Sequence, residues 1–152
     1  MILAQIVLAT TLTLTTFTSG SDDLKELRSF VHKLIENINA RDGKAFQSKW
    51  HPQATLYSRK FFFAFDRAEV DASGLAEIWE DFFSRIDRID FKETDFSVRR
   101  IGEVGMVWGS TRVIVHRKGS GSSVERLRVT LIFIRASGGW KLLSWPDSPA
   151  PE

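Results

Sequence analysis

The order of patterns along the chain predicts an α+β fold, with helices first and a run of long antiparallel strands after them. Three observations carry this. Apolar residues recur at three- and four-residue steps over residues 24–38 and again over 75–86, the period of an amphipathic helix. From Phe91 onward the period changes to two, the period of a strand with one buried face. The later segments are joined by short runs rich in Gly and Ser, which are turn residues.

The first helix carries Leu24, Leu27, Val31, Leu34, Ile35 and Ile38. Ser21 is its expected cap, and Asp22 and Asp23 suit the positive end of the helix dipole. Arg41-Asp42-Gly43 reads as a turn, and Asp42 caps a short second helix with Ala45, Phe46 and Trp50. Pro52 ends that helix, because the residue before a proline avoids the helical region. Residues 54–58 and 60–65 read as two strand pieces. A third helix starts at Ser73, with Leu75, Ile78, Trp79, Phe82, Phe83 and Ile86 as its buried stripe. Four strands follow over 91–99, 104–117, 124–135 and 140–145, and their short links predict an antiparallel meander.

Length and composition exclude several classes. A chain of 152 residues holds one domain with a real core. With no cysteine, disulfide scaffolds, cysteine-based zinc sites and thiol catalysis are excluded. The 43% hydrophobic content is too high for a disordered chain. The net charge of +2 hides an uneven distribution. Residues 1–21 carry no Asp, Glu, Lys or Arg. Residues 22–95 hold 12 basic and 15 acidic residues (−3), 96–135 hold 8 and 2 (+6), and 136–152 hold 1 and 2 (−1).

Residues 1–21 read as a secretory leader: an apolar, Thr-rich stretch followed by the small residues Thr18, Ser19, Gly20 and Ser21. A basic n-region is missing. An uncleaved anchor and a flexible tail are the alternatives, and the run is too short for a membrane span. The expectation is a domain over residues 22–148 exported to the periplasm or beyond, with a short tail over 149–152.

Several phrases in this order resemble the nuclear-transport-factor-2-like superfamily, in its SnoaL-like and kinase-II-association-domain branch. They are Asn39-Ala40-Arg41-Asp42, then Trp50-His51-Pro52-Gln53-Ala54-Thr55-Leu56, then Arg128-Val129-Thr130, then Gly138-Gly139-Trp140-Lys141-Leu142-Leu143. The resemblance implies a curved sheet wrapped around a long helix, a cone with an apolar pocket, and homodimers through the sheet. It also implies where catalytic groups would stand. The isomerases of this fold use a carboxylate base, a tyrosine and a second acid; the matching positions here are Ser58, Leu34 and Thr130. Arg128 matches the arginine of an Asp-Arg-Asp hydrolase set, but Thr130 stands where an Asp belongs. No catalytic residue is therefore assigned.

Parity separates the faces of the late strands. Leu127, Val129, Leu131 and Phe133 form one face, and Arg126, Arg128, Thr130, Ile132 and Ile134 the other. Placing Thr130 where the family acid points inward puts Arg128 in the pocket, with Trp108 and Arg112 from the preceding strand. Trp50, Tyr57 and Ser144 complete the candidate lining. An arginine pair suits an anion by bidentate bonding; pairing with carboxylates or solvent is the bland alternative. The uniformly apolar face is then the outer one, and a second copy is its expected cover.

The leading expectation is a small-molecule-binding domain for an apolar ligand with an anionic end, without cofactor, metal or nucleic acid. The three histidines are scattered without ligand spacing. The alternatives are an isomerase, hydrolase or cyclase using His51, Asp66 or Asp147, and an oligomeric assembly module.

Overall fold

The computed structural model describes residues 20–58, 68–70 and 72–150. The expected leader, the 60–65 strand piece and Asp66 lie outside the described residues. Helix α1 spans Gly20–Asn39, α2 Gly43–Gln47 and α3 Ala72–Ser84. The strands are β1 Trp50–Ser58, β2 Ala68–Val70, β3 Ile86–Glu93, β4 Ser97–Ile101, β5 Val104–Arg117, β6 Gly121–Ala136 and β7 Gly139–Pro149. No described helix is long and apolar enough to cross a membrane.

Leu27, Val31, Leu34 and Ile38 are the buried stripe of α1, at steps of four, three and four. Ser21 lies inside the helix, which begins one residue before the expected cap. Asp22 and Asp23 occupy the first turn as the dipole favours. The helix stops at Asn39, and Arg41, with a φ of 57°, turns the chain through the left-handed region. Arg41 then donates to the Ile86 carbonyl at 2.9 Å. Beside it, Asn39 accepts from Phe91 N–H at 2.7 Å and donates to Phe91 C=O at 3.1 Å. One side chain thus fills two backbone sites on β3 and fixes the end of α1 to the sheet. Asp42 caps α2 as expected, accepting from Ala45 N–H at 2.8 Å. Trp50 is not on that helix but opens β1.

The sheet runs β2-β1-β7-β6-β5-β3, with β4 also paired to β5. The antiparallel run β3-β5-β6-β7 is the expected meander in outline. The sheet is mixed, however, because β1 lies parallel to β7. The expected strand over 91–99 is two strands. Both pair with β5: β3 with residues 111–117, β4 with 104–108. Between them the chain bends at the exposed Asp95, whose carboxylate accepts from Ser110 N–H. A Cβ at Gly109 would stand 2.6 Å from the Asp95 carbonyl oxygen, so only glycine admits this approach. Ile86 opens β3 and does not belong to α3.

Face assignment is where the fold departs most from expectation. Val107, Val113 and Val115 of β5 and Leu127, Val129, Leu131 and Phe133 of β6 are buried. They form one core with the α1 stripe and with Trp140, Leu142 and Trp145 of β7. The other face of β5 and β6, with Arg112, Arg126 and Arg128, is open. The reason is energetic. A slip of one residue would exchange four buried apolar side chains for Arg126, Arg128, Thr130 and Ile132. Each apolar side chain returned to water costs about 1.5–3 kcal/mol, and each unpaired guanidinium taken inside costs several more. The apolar face is therefore inner, and α1 covers it.

The contact of α1 with the sheet is tight at Gly105. A Cβ there would lie 2.6 Å from Leu27 Cδ2 and 3.2 Å from Trp140 Cζ3. Gly105→Ala is expected to lower stability by about 1–3 kcal/mol in urea unfolding. Gly138→Ala, where a Cβ meets nothing within 4 Å, is the near-neutral control.

Candidate functional site

The interior begins with a block of rings. Phe46 meets Trp79 edge-on at 4.5 Å and Trp50 at 5.8 Å between centroids. Trp50 and Trp145 stack at 6.3 Å and 9°. Phe91 closes on Trp145 at 5.9 Å, and Phe82 and Phe83 continue the block from Trp79. These rings are buried, so this end of the cone is filled with side chains. Trp50 Nε1 finds no acceptor among the described residues.

Polar groups enter the interior farther along the sheet. Thr111 is 1% exposed, and its Oγ1 has no hydrogen-bond partner among the described residues. Its neighbours in register are Glu93 on β3 and Leu127 on β6. Asp147 pairs in register with buried Val129, so it shares the inner face, two residues beyond Trp145. Its Oδ2 is shielded from solvent. A half-buried carboxylate with one shielded oxygen and a buried hydroxyl thus stand beside Val129, Leu127 and Trp145. That combination can orient a ligand carrying a hydrogen-bond donor, or hold a proton for transfer.

The candidate lining is divided by this arrangement. Trp50 alone of the seven lies in the described interior. Trp108, Arg112, Arg128 and Thr130 are on the outer face, for the energetic reason given above. Trp108 is 37% exposed, with the Arg99 guanidinium 5.7 Å from its ring centroid. Ser144 pairs with Ile132, also on the outer face. The backbone of Tyr57 pairs with Glu69 and Pro146; its side chain lies outside the described residues. The arginine pair therefore does not clamp an anion inside the cone. Of the acid–base candidates, His51 accepts from Gln53 N–H through Nδ1 at 3.1 Å, a local turn role. Asp147 is the one that the register carries inside.

His32 Nδ1 lies 3.6 Å from Glu93 Oε1, and His116 Nε2 lies 2.8 Å from Arg88. Among the described residues no group of three His, Asp or Glu could hold a metal ion. Two surface grooves flank α1. One, of about 200 Å³, is lined by Arg28, His32, Glu93, Phe96 and Val98, among others. The other, of about 340 Å³, lies where α1 meets the β6–β7 hairpin and the start of β1.

A long helix laid across a curved, open sheet, with two short helices at its end, defines the nuclear-transport-factor-2-like cone. Solved structures agree. The chain is similar to a candidate dehydratase of that family from Streptomyces avermitilis, with TM-score 0.73 and 17% identity over 86% of this chain and 97% of that one. It is similar to a nuclear-transport-factor-2-like protein from Salmonella enterica, with TM-score 0.76 and 11% identity over 88% and 95% of the two chains. A candidate scytalone dehydratase from Novosphingobium aromaticivorans matches with TM-score 0.73 and 7% identity, over 85% of each chain. Within that class, residues 27–151 match the sequence profile of the SnoaL-like domain, and the chain belongs to that family. No curated protein sequence matches it.

Thr111 offers a direct check on the interior. Valine has the shape of threonine without the hydroxyl, so Thr111→Val removes a buried group that has no partner. It is expected to leave stability unchanged or to raise it by about 1–2 kcal/mol in urea unfolding. A loss of stability would show that the hydroxyl is bonded within the folded chain.

Proposed function

We propose that this chain is a small-molecule-binding SnoaL-like domain whose ligand enters the cone beside Asp147 and Thr111. The observation that carries the reading is the register of Asp147 with Val129, which sets a carboxylate among buried apolar side chains. A carboxylate in such a place gives an apolar surrounding one oriented polar group, which is how small-molecule sites fix their ligands. The ligand is then apolar and carries a hydrogen-bond donor toward Asp147. The anionic end expected from the arginines does not belong to this site, because Arg112 and Arg128 face outward.

The proposal includes export from the cytoplasm, on the charge-free residues 1–21. It also includes a homodimer through the outer sheet face. Trp108, Val104, Ile101 and Val124 are exposed large hydrophobics on β4, β5 and β6. A second copy is the natural cover for the apolar part of that face.

A second reading is an enzyme in which Asp147 moves a proton. The same inward carboxylate favours it, because a positioned carboxyl group is a common general acid or base. The likeness to candidate dehydratases is one of fold alone.

Native mass spectrometry across a panel of lipophilic donors tests the binding reading and the dimer together. The expected result is a dimer mass at micromolar protein with ligand retained. Asp147→Asn should weaken retention about tenfold or more, as loss of a charge-assisted bond does, while Arg128→Ala leaves it unchanged. Equal retention by Asp147→Asn would overturn the site, and a monomer mass would overturn the dimer.

A further inference from the structure

The groove beside the β6–β7 hairpin is lined by Phe30 and Lys33 of α1, Ser48 and Lys49 before β1, and Gly138 to Lys141 of the hairpin. Its charge is one-sided. Lys33, Lys49 and Lys141 make no ion pair with a carboxylate among the described residues. The one acid in the lining, Glu26, is already committed. Its carboxylate accepts from Arg135 at 2.6 Å, and that bond raises the Arg135 pKa above its usual value against the opposing effect of burial. Glu26 is thus held by a cation outside the groove, and three ammonium groups remain uncompensated.

The ammoniums are set around apolar surface. Lys49 Nζ stands 5.7 Å from the centroid of the half-buried Phe30 ring. Lys141 Nζ donates to the Ser48 carbonyl at 2.6 Å, which fixes its position at the rim. The main chain beneath is held by Leu142 N–H to Lys49 C=O at 2.8 Å. Trp140 lines the floor. Its ring carries the Arg135 guanidinium at 5.2 Å and so ties the floor to the Glu26 pair. A Cβ at Gly138 would meet nothing within 4 Å, so the hairpin end leaves the mouth open.

We propose that this groove is a second binding site, separate from the cone interior, for a small organic anion with a flat apolar ring. A volume of about 340 Å³ is at the small end of ligand pockets, which fits a single ring with one charged substituent. Lysines act as point charges and accept phosphate or carboxylate alike. The ring lies against Phe30 and the anion sits among Lys33, Lys49 and Lys141.

The test is an amide NMR titration of the full chain with phenyl phosphate, benzoate and benzyl alcohol. Either anion should shift the amides of Ser29, Phe30, Lys33, Lys49 and Lys141 and leave those of Trp145 and Asp147 in place. Benzyl alcohol, which has the ring without the charge, should not. A response to phenyl phosphate alone assigns a phosphate-ended ligand, and a response to both assigns the wider anion class. Lys33→Gln touches no partner and should weaken binding about two- to fivefold; with Lys141→Met added the loss should reach about tenfold. Arg112→Gln on the outer sheet face should change nothing. The proposal is overturned if neither anion shifts the groove amides at about 10 mM, if benzyl alcohol shifts them as strongly, or if the lysine variants bind as well as the parent. Shifts confined to Trp145 and Asp147 would overturn it while supporting the interior site, so the two readings fail separately.

Discussion

The contact on which the rest depends is the apolar stripe of α1 against the inner face of β5 and β6. Leu27, Val31, Leu34 and Ile38 meet a surface built from Val107, Leu131, Phe133 and their neighbours. Gly105 lets Leu27 approach the strand, and Asn39 ties the far end of the helix to Phe91. Because a strand alternates at every residue, this one contact decides the direction of every side chain on β5 and β6. It sends Arg112, Arg126, Arg128 and Trp108 outward and draws Thr111 inward. The sheet must curve to follow the helix. The Asp95 bend, admitted by Gly109, divides the edge into β3 and β4 so that both can stay paired to β5.

Much of this was legible in the amino-acid pattern. The helical stripes, the Asp42 cap and the turns at Arg41-Asp42-Gly43 and Ser137-Gly138-Gly139 are local signals, and local chemistry sets them. The two faces of β6 were also legible. The resemblance at Thr130 points the arginine face inward, against the cost of burying two arginines. The burial rule alone gives the observed answer. Other features leave no local trace. The parallel pairing of β1 with β7 joins segments about ninety residues apart and appears in neither period. The division of 91–99 depends on a carboxylate bonding Ser110, fifteen residues away in the chain.

The same distinction governs the sites. Asp147 was visible as a carboxylate, but its inward direction depends on an irregularity in the β6–β7 register between Ile132 and Phe133. Before the bulge Trp140 and Leu142 face inward; after it Trp145 and Asp147 do. The lysine groove was invisible because Lys33, Lys49 and Lys141 come from three separate segments. The basic stretch over 96–135 is divided: Arg112, Arg126 and Arg128 stand on the open sheet face, while Arg100 and Arg135 pair with Asp23 and Glu26 of α1. Two kinds of polarity therefore coexist, one carboxylate inside the cone and cations outside it, and a ligand for one is unsuited to the other.

The central claim is that the apolar face of β6 is the covered one. The absence of cysteine makes it directly measurable by thiol labelling of single-cysteine variants. Val129→Cys and Arg128→Cys are adjacent in sequence and on opposite faces. Labelled in the native state at low protein concentration, Arg128→Cys should react at close to the rate of a free thiol. Val129→Cys should react at least about 100-fold more slowly, since it is reached only through unfolding. Equal rates, or a protected residue 128 beside a reactive residue 129, would contradict the account.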